Sequence, residues 1–155
     1  MAAQAQRQLG APKARDGNVE AIRVLVVAKR SAKSSRIQTM NQIRHLGFTA
    51  PEEIRQSLQG VSRRLLAAKA AAMRPRGGTD PVIYATKTAL RTLGQRAVAL
   101  KAEMKQIDVL LGRLLRDNWE DLLSIYGVGI DTAAALLVAA GDNPERLRSD
   151  DPKIG

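Results

Sequence analysis

The residues able to do chemistry in this 155-residue chain are few, and their spacing does not build a catalytic centre. Glu52/Glu53, Glu120/Asp121 and Asp150/Asp151 are adjacent pairs. Neighbours on a helix or strand diverge, so none of these pairs forms a two-metal site. They read as helix-start charges and a polar tail. His45 is the only histidine and cysteine is absent, which leaves no imidazole or thiolate cluster for a metal and no disulfide. His45 stands at a helix end, where terminal carbonyls or a phosphate would be its partners. "RPRGGTD" (residues 74–80) is glycine-rich but lacks the Gly-Lys-Ser/Thr ending of a phosphate-binding Walker loop, and reads as a linker.

What the chain does carry is positive charge. Its net +10 is concentrated in residues 1–80, where 15 Lys/Arg stand against 5 Asp/Glu; residues 81–155 hold ten of each. Such an asymmetry points to a polyanion met by the first half, nucleic acid before membrane surface. Lys29, Lys33 and Arg36 recur at i, i+4 and i+7 and share one helix face, with Arg30 beside them. Like charges at that spacing repel. Phosphates would offset the cost, and so would simple solvation; the half-chain asymmetry favours phosphates. Arg44 adds to this set, and "VSRRLLAAK" (residues 61–69) contributes Arg63, Arg64 and Lys69. Removing Lys29, Lys33 and Arg36 together is expected to weaken binding and flatten its salt dependence.

A second anion site is suggested by "LLSIYGVGIDTAAALLVAAGD" (residues 122–142), with two glycines between apolar helical segments. Helix, h-G-h-G turn and Ala-rich helix is the pattern of a helix-hairpin-helix element. Gly127 and Gly129 permit tight backbone geometry. Amides from there through Ile130 and Thr132, at the start of the second helix, would face a phosphate with the helix dipole behind them. Ala133, Ala134 and Ala135 let the helices approach closely. Contacts of this kind read backbone rather than base. A plain helical hairpin with a GxG turn is the bland alternative. Gly129→Val is expected to distort the turn.

These residues must be positioned by helices, because no segment alternates with period two. "GAPKARDGN" (residues 10–18) has loop composition, with Asn18 as a cap. A long helix is predicted from Val19 to Leu46, stopped by Gly47, and Pro51 opens a shorter one over Glu52 to Met73 with a break at Gly60. Asp80 caps a further helix that starts at Pro81 and runs to about Arg116. In it Leu90, Leu93, Ala97, Leu100, Met104, Ile107, Leu111 and Leu114 are spaced alternately by three and four. That seam belongs to a coiled coil, or to a bundle helix with a near-heptad stripe. Counted as Leu25, Ala28, Ala32, Ser35, Thr39, Gln42 and Leu46, the first helix turns polar midway and is a poor cover for the seam. A homodimer through the seam is therefore expected, and Leu100→Asp should dissociate it. The fold expected is all-α: a long helical coiled-coil hairpin, then a C-terminal helix-hairpin-helix. The segments are residues 1–17 (flexible), 18–117 (basic long-helix region) and 118–155 (helix-hairpin-helix). Four aromatics, Phe48, Tyr84, Trp119 and Tyr126, suit such Ala/Leu packing.

"PKARDGNVEAIRVLVVAKRSAKSSRIQTMNQIRHL", "DPVIYATKTALRTL" and "LLSIYGVGIDTAAALLVAAGDNPERLRSDDP", in this order, resemble the middle of an insertion-sequence 110 family transposase. The family's members are bridge-RNA-guided DEDD recombinases. The resemblance spans nearly the whole chain. It implies a central coiled coil followed by the helix-hairpin-helix that opens the transposase domain, with DNA and a guide RNA as partners. It also implies a bacterial mobile element, acting in DNA transposition and recombination, cytoplasmic and nucleoid-associated. The family's acidic metal-binding set precedes this region and its catalytic serine follows it, so neither is carried over. Ser124 and Ser149 do not match the serine's position, and Tyr126 stands where many relatives have proline. No cofactor is expected in this chain, although the intact family uses a divalent metal such as magnesium. No strand transfer or cleavage by the chain alone is expected. No apolar run reaches bilayer length and no signal-peptide core is present, so no membrane partner is expected. The competing function is a helical scaffold that binds a protein partner through its seam.

Overall fold

The computed structural model describes residues 2–78 and 80–142, with side chains from residue 17 onward. The described residues are all-α, as the lack of alternation predicts. They form α1 (Ala2–Thr49), α2 (Glu52–Leu58), α3 (Leu66–Ala71), α4 (Pro81–Asn118), α5 (Glu120–Ser124) and α6 (Ile130–Asp142).

Several boundaries follow the sequence signals. Asp80 caps α4: its Oδ1 accepts from the Val82 amide at 2.8 Å and the Ile83 amide at 3.3 Å, and Pro81 takes the first helical position. Pro51 lies just ahead of α2, its carbonyl accepting the Arg55 amide at 3.0 Å. Gly60, at φ +73°, makes the break between α2 and α3. Other expectations need correction. The backbone of residues 10–18 is helical rather than a loop, because a helix nucleated by the packed stretch after Val19 extends at the cost of one residue at a time. Asn18 is thus no cap; its Nδ2 donates to Asn118 Oδ1 at 2.8 Å. Gly47 does not stop α1, which ends at Thr49, where Pro51 disfavours helix for the residue before it. Gly141 lies inside α6, where an added Cβ would sit 3.0 Å from Val19 Cγ1. Its smallness serves helix packing there. Ser149, Asp150 and Asp151 lie outside the described residues.

Packing divides the chain into two compact units that cut across the three sequence segments. One comprises Met1–Lys29 with Gln106–Gly155, the other Arg30–Lys105. In the first, Ile22, Leu111, Leu115, Ala133 and Ala134 are buried together, flanked by Leu25, Trp119, Leu122 and Leu137. In the second, Met40, Ile43, Ile54, Ala67, Ala70, Leu90 and Ala97 form the core.

The α4 seam therefore faces the chain's own helices. Leu90 and Ala97 are buried in the second unit, with Leu93, Leu100 and Met104 half-buried. Leu111 is buried in the first, with Ile107 and Leu114 half-buried. The first helix covers the seam because three of its inward positions lie one residue beyond the expected ones, with Lys29, Arg36 and Ile43 in place of Ala28, Ser35 and Gln42. Ile22, Lys29, Arg36, Ile43 and Ala50 recur every seven residues and face inward, as do Leu25, Ala32, Thr39 and Leu46, whereas Ala28 and Gln42 are exposed. Thr39 tolerates burial because its Oγ1 donates to the Ser35 carbonyl at 2.8 Å. The chain's own helices thus bury Leu90, Ala97 and Leu111. The inward repeat also places two cations, Lys29 and Arg36, at positions that ordinarily take apolar residues.

Candidate nucleic-acid interface

Helical phase brings the basic residues of the second unit together. Arg36, Ile37, Met40, Asn41 and Arg44 form one strip of α1, spaced at three, four and seven residues. Opposite them, the Ser62 carbonyl accepts the Leu65 amide at 3.0 Å and the Leu66 amide at 3.1 Å. That turn winds residues 63–65 into the start of α3 and presents Arg63 and Arg64. Lys101 of α4 closes the third side. Together these residues line a cleft of about 470 Å³. Five of its lining side chains are cations, and none is acidic.

Among the described residues, none neutralises the charges in the cleft. Arg36, Arg44, Arg63, Arg64 and Lys101 make no ion pair among the described residues. Arg44 donates only to the neutral Asn41 Oδ1, at 3.1 Å. The Arg36 Nε is buried and has no hydrogen-bond partner. An unsatisfied buried donor costs about 1–3 kcal/mol, more when charged. Five like charges around one cleft add mutual repulsion. A phosphodiester oxygen would satisfy the donor and the field at once, because guanidinium groups match phosphate geometry.

Four residues that the sequence singles out, Arg36, Arg44, Arg63 and Arg64, thus share one site. Arg30 and Lys33 are exposed on the same strip of α1, one to two turns earlier, and do not line the cleft. Lys101 is not among the residues the sequence singles out, yet it lines the cleft. Its signal was its place next to half-buried Leu100, at the flank where long cations reach across to a neighbouring helix.

Lys29 has a different task. In the first unit its Nζ lies 2.5 Å from Asp108 Oδ1 of α4 and 2.5 Å from Asp131 Oδ1 in the first turn of α6. Its side chain is only 15% exposed. Burial works against the Lys29 ammonium, but the Asp108 and Asp131 carboxylates outweigh it and hold its pKa above the usual 10.5. A raised lysine pKa contributes stability that is complete below 10.5 and is lost as pH rises through the folded value. Lys29→Met should therefore lower the urea-unfolding free energy by about 1 kcal/mol at pH 8, modest because both carboxylates keep water. The gap to wild type should close as pH is raised beyond 10.5. A gap that is constant with pH would mean that the ammonium plays no part.

The hairpin completes the first unit. The Val128 amide donates to the Ile125 carbonyl at 3.1 Å, with Gly127 at φ +84° in the third position of the turn, where glycine is favoured. The conformational demand falls on Gly127, and Gly129 has open space around it. Gly129→Val should thus be milder than expected from the sequence. Gly127→Ala should cost about 1–2 kcal/mol, read as lower thermal stability. Ile130 packs against the core, while Thr132 is exposed. Asp131 suits the positive end of the α6 dipole. With Asp108 it gives the Lys29 cluster a net charge of −1, which does not favour an anion there.

Among the described residues, no helix is long and apolar enough to cross a membrane, and no three His, Asp or Glu side chains gather as a metal site. Neither known protein families, nor curated proteins, nor solved structures give a match to this chain.

Proposed function

We propose that this chain is a nucleic-acid-binding helical module of an insertion-element recombinase, and that it holds a phosphate backbone in the cationic cleft of its second unit. The observation that carries this reading is the cleft: five lining cations, no lining acid and, among the described residues, no ion pair to those cations and no partner for the buried Arg36 Nε. The recombinase context rests on the resemblance of "NVEAIRVL", "AKRSA", "RIQTMNQIRHL" and "GDNPERLRS" to the insertion-sequence 110 family. In that context the partners are DNA and a guide RNA in a bacterial cytoplasm, and any magnesium would be held by residues that this chain does not supply. Arg30 and Lys33 extend the charged strip along α1 and would steer the strand toward the cleft. Arginine contacts to phosphate position a strand without reading its sequence.

Fluorescence anisotropy with labelled 20-nucleotide DNA and RNA strands tests the proposal. Four to five phosphate contacts on a single strand give a slope of log K against log salt of about −2.8 to −3.5, or a loss of roughly 50- to 130-fold between 50 and 200 mM KCl. Absent or salt-insensitive binding would overturn the reading and leave the helical scaffold for a protein partner.

A further inference from the structure

A second, larger groove adjoins the cationic cleft in the same unit. It has a volume of about 900 Å³, and its lining includes Phe48 of α1, Leu58 of α2, Val61, Leu66 of α3, and Arg44 and Arg63, together with Glu52, which Arg55 pairs. Arg44 and Arg63 also line the cleft. Phe48 is 82% exposed. A phenyl ring left in water forgoes the stabilisation that burial would give it, and the neighbouring core already has Ile43, Ile54 and Leu90 to fill it. The volume lies within the range of ligand-binding clefts.

From this juxtaposition we propose that the unit binds single-stranded nucleic acid, with the phosphate between the arginines of the cleft and an unpaired base stacked on Phe48 in the groove. The proposal deepens the cleft reading and rests on it. Arg44 and Arg63 bridge the two sites, so a nucleotide in the groove can keep its own phosphate in the cleft. An apolar peptide would fit the groove's walls but would leave the adjoining positive field unmatched. A duplex would match the field but keeps its bases stacked inside, out of reach of the ring. A single strand offers both parts, since a planar face stacks on an aromatic side chain and the linked phosphate meets the cations. DNA and RNA share this chemistry.

The test compares binding of dT 12-mer, U 12-mer, an abasic 12-nucleotide phosphodiester and a 12-base-pair duplex to the full chain, to Phe48→Ala and to Phe48→Trp. Phe48→Ala should weaken dT and U binding roughly 5- to 150-fold per stacked base, leave the abasic strand unchanged and leave the far-ultraviolet circular dichroism intact. Phe48→Trp should restore the affinity. The dT-to-U ratio reports whether the natural strand is DNA or RNA, and either preference supports the proposal. If the abasic strand binds as well as dT and Phe48→Ala changes neither, or if the duplex binds more tightly than the single strands, base stacking is wrong while the cleft stands. If no 12-mer binds at any salt, the cleft reading itself fails and takes the groove with it.

Discussion

Changing Arg36, Arg63, Arg64 and Lys101 together to glutamine should reduce the affinity for a 20-nucleotide strand on the order of 100- to 1,000-fold at 100 mM salt. The salt slope should flatten by about 2.8, because each lost contact on a single strand removes about 0.7. The two readouts belong together. A variant that merely unfolds also loses affinity, but this one should melt no lower than wild type, because the substitutions relieve repulsion among charges that make no ion pair. Lys29→Gln should leave the slope unchanged, since Lys29 is engaged by Asp108 and Asp131 in the other unit. An unchanged slope in the fourfold variant would show that the cleft carries no phosphate.

Gly94→Ala should destabilise the second unit by about 3 kcal/mol, against the roughly 1 kcal/mol that alanine gains over glycine inside a helix. A Cβ at position 94 would stand 2.3 Å from the Ala71 nitrogen and 2.8 Å from the Ala67 carbonyl oxygen. Both are backbone atoms, so α3 as a whole must move. The buried Ala67 and Ala70 show that α3 seats on α4 through small residues. For a chain of this size the loss amounts to a fall in Tm of roughly 6–12 °C. The same displacement carries the turn that presents Arg63 and Arg64, so oligonucleotide affinity should fall alongside stability. Thermal melts of Gly94→Ala and of the exposed control Gly77→Ala decide the matter. An equal or higher Tm for Gly94→Ala would show that α3 does not dock at this point.

The fold class was legible because it depends on patterns local to the chain. Asp80 followed by Pro81, Pro51, and the three-four spacing from Leu90 to Leu114 each declare a helix or its start. Punctuation was misread where packing overrides composition. Asn18 and Gly47 look like caps, yet both are held inside a long helix whose bonds extend from a packed stretch. The register of α1 was missed because Lys29 and Arg36 occupy inward positions, and a count that seeks apolar residues steps around them. Those two positions then proved to be the informative ones. One is neutralised by Asp108 and Asp131, which lie 79 and 102 residues away along the chain; the other opens into a cleft with no counter-charge. No periodicity separates these two fates, because each depends on what a distant element brings. The contribution of Lys101 and the exposed ring of Phe48 were hidden for the same reason.

The most direct measurement of the central claim is the response of the arginine Nε–Hε resonances to a 12-nucleotide strand. Arg36, Arg44, Arg63 and Arg64 should shift together and saturate with the binding curve, Arg36 most, since its buried Nε gains a partner it lacks in the free protein. Arg23, Arg113 and Arg116, in the other unit, should remain in place. Saturable binding that moves those three and leaves the four cleft arginines unshifted would contradict the account.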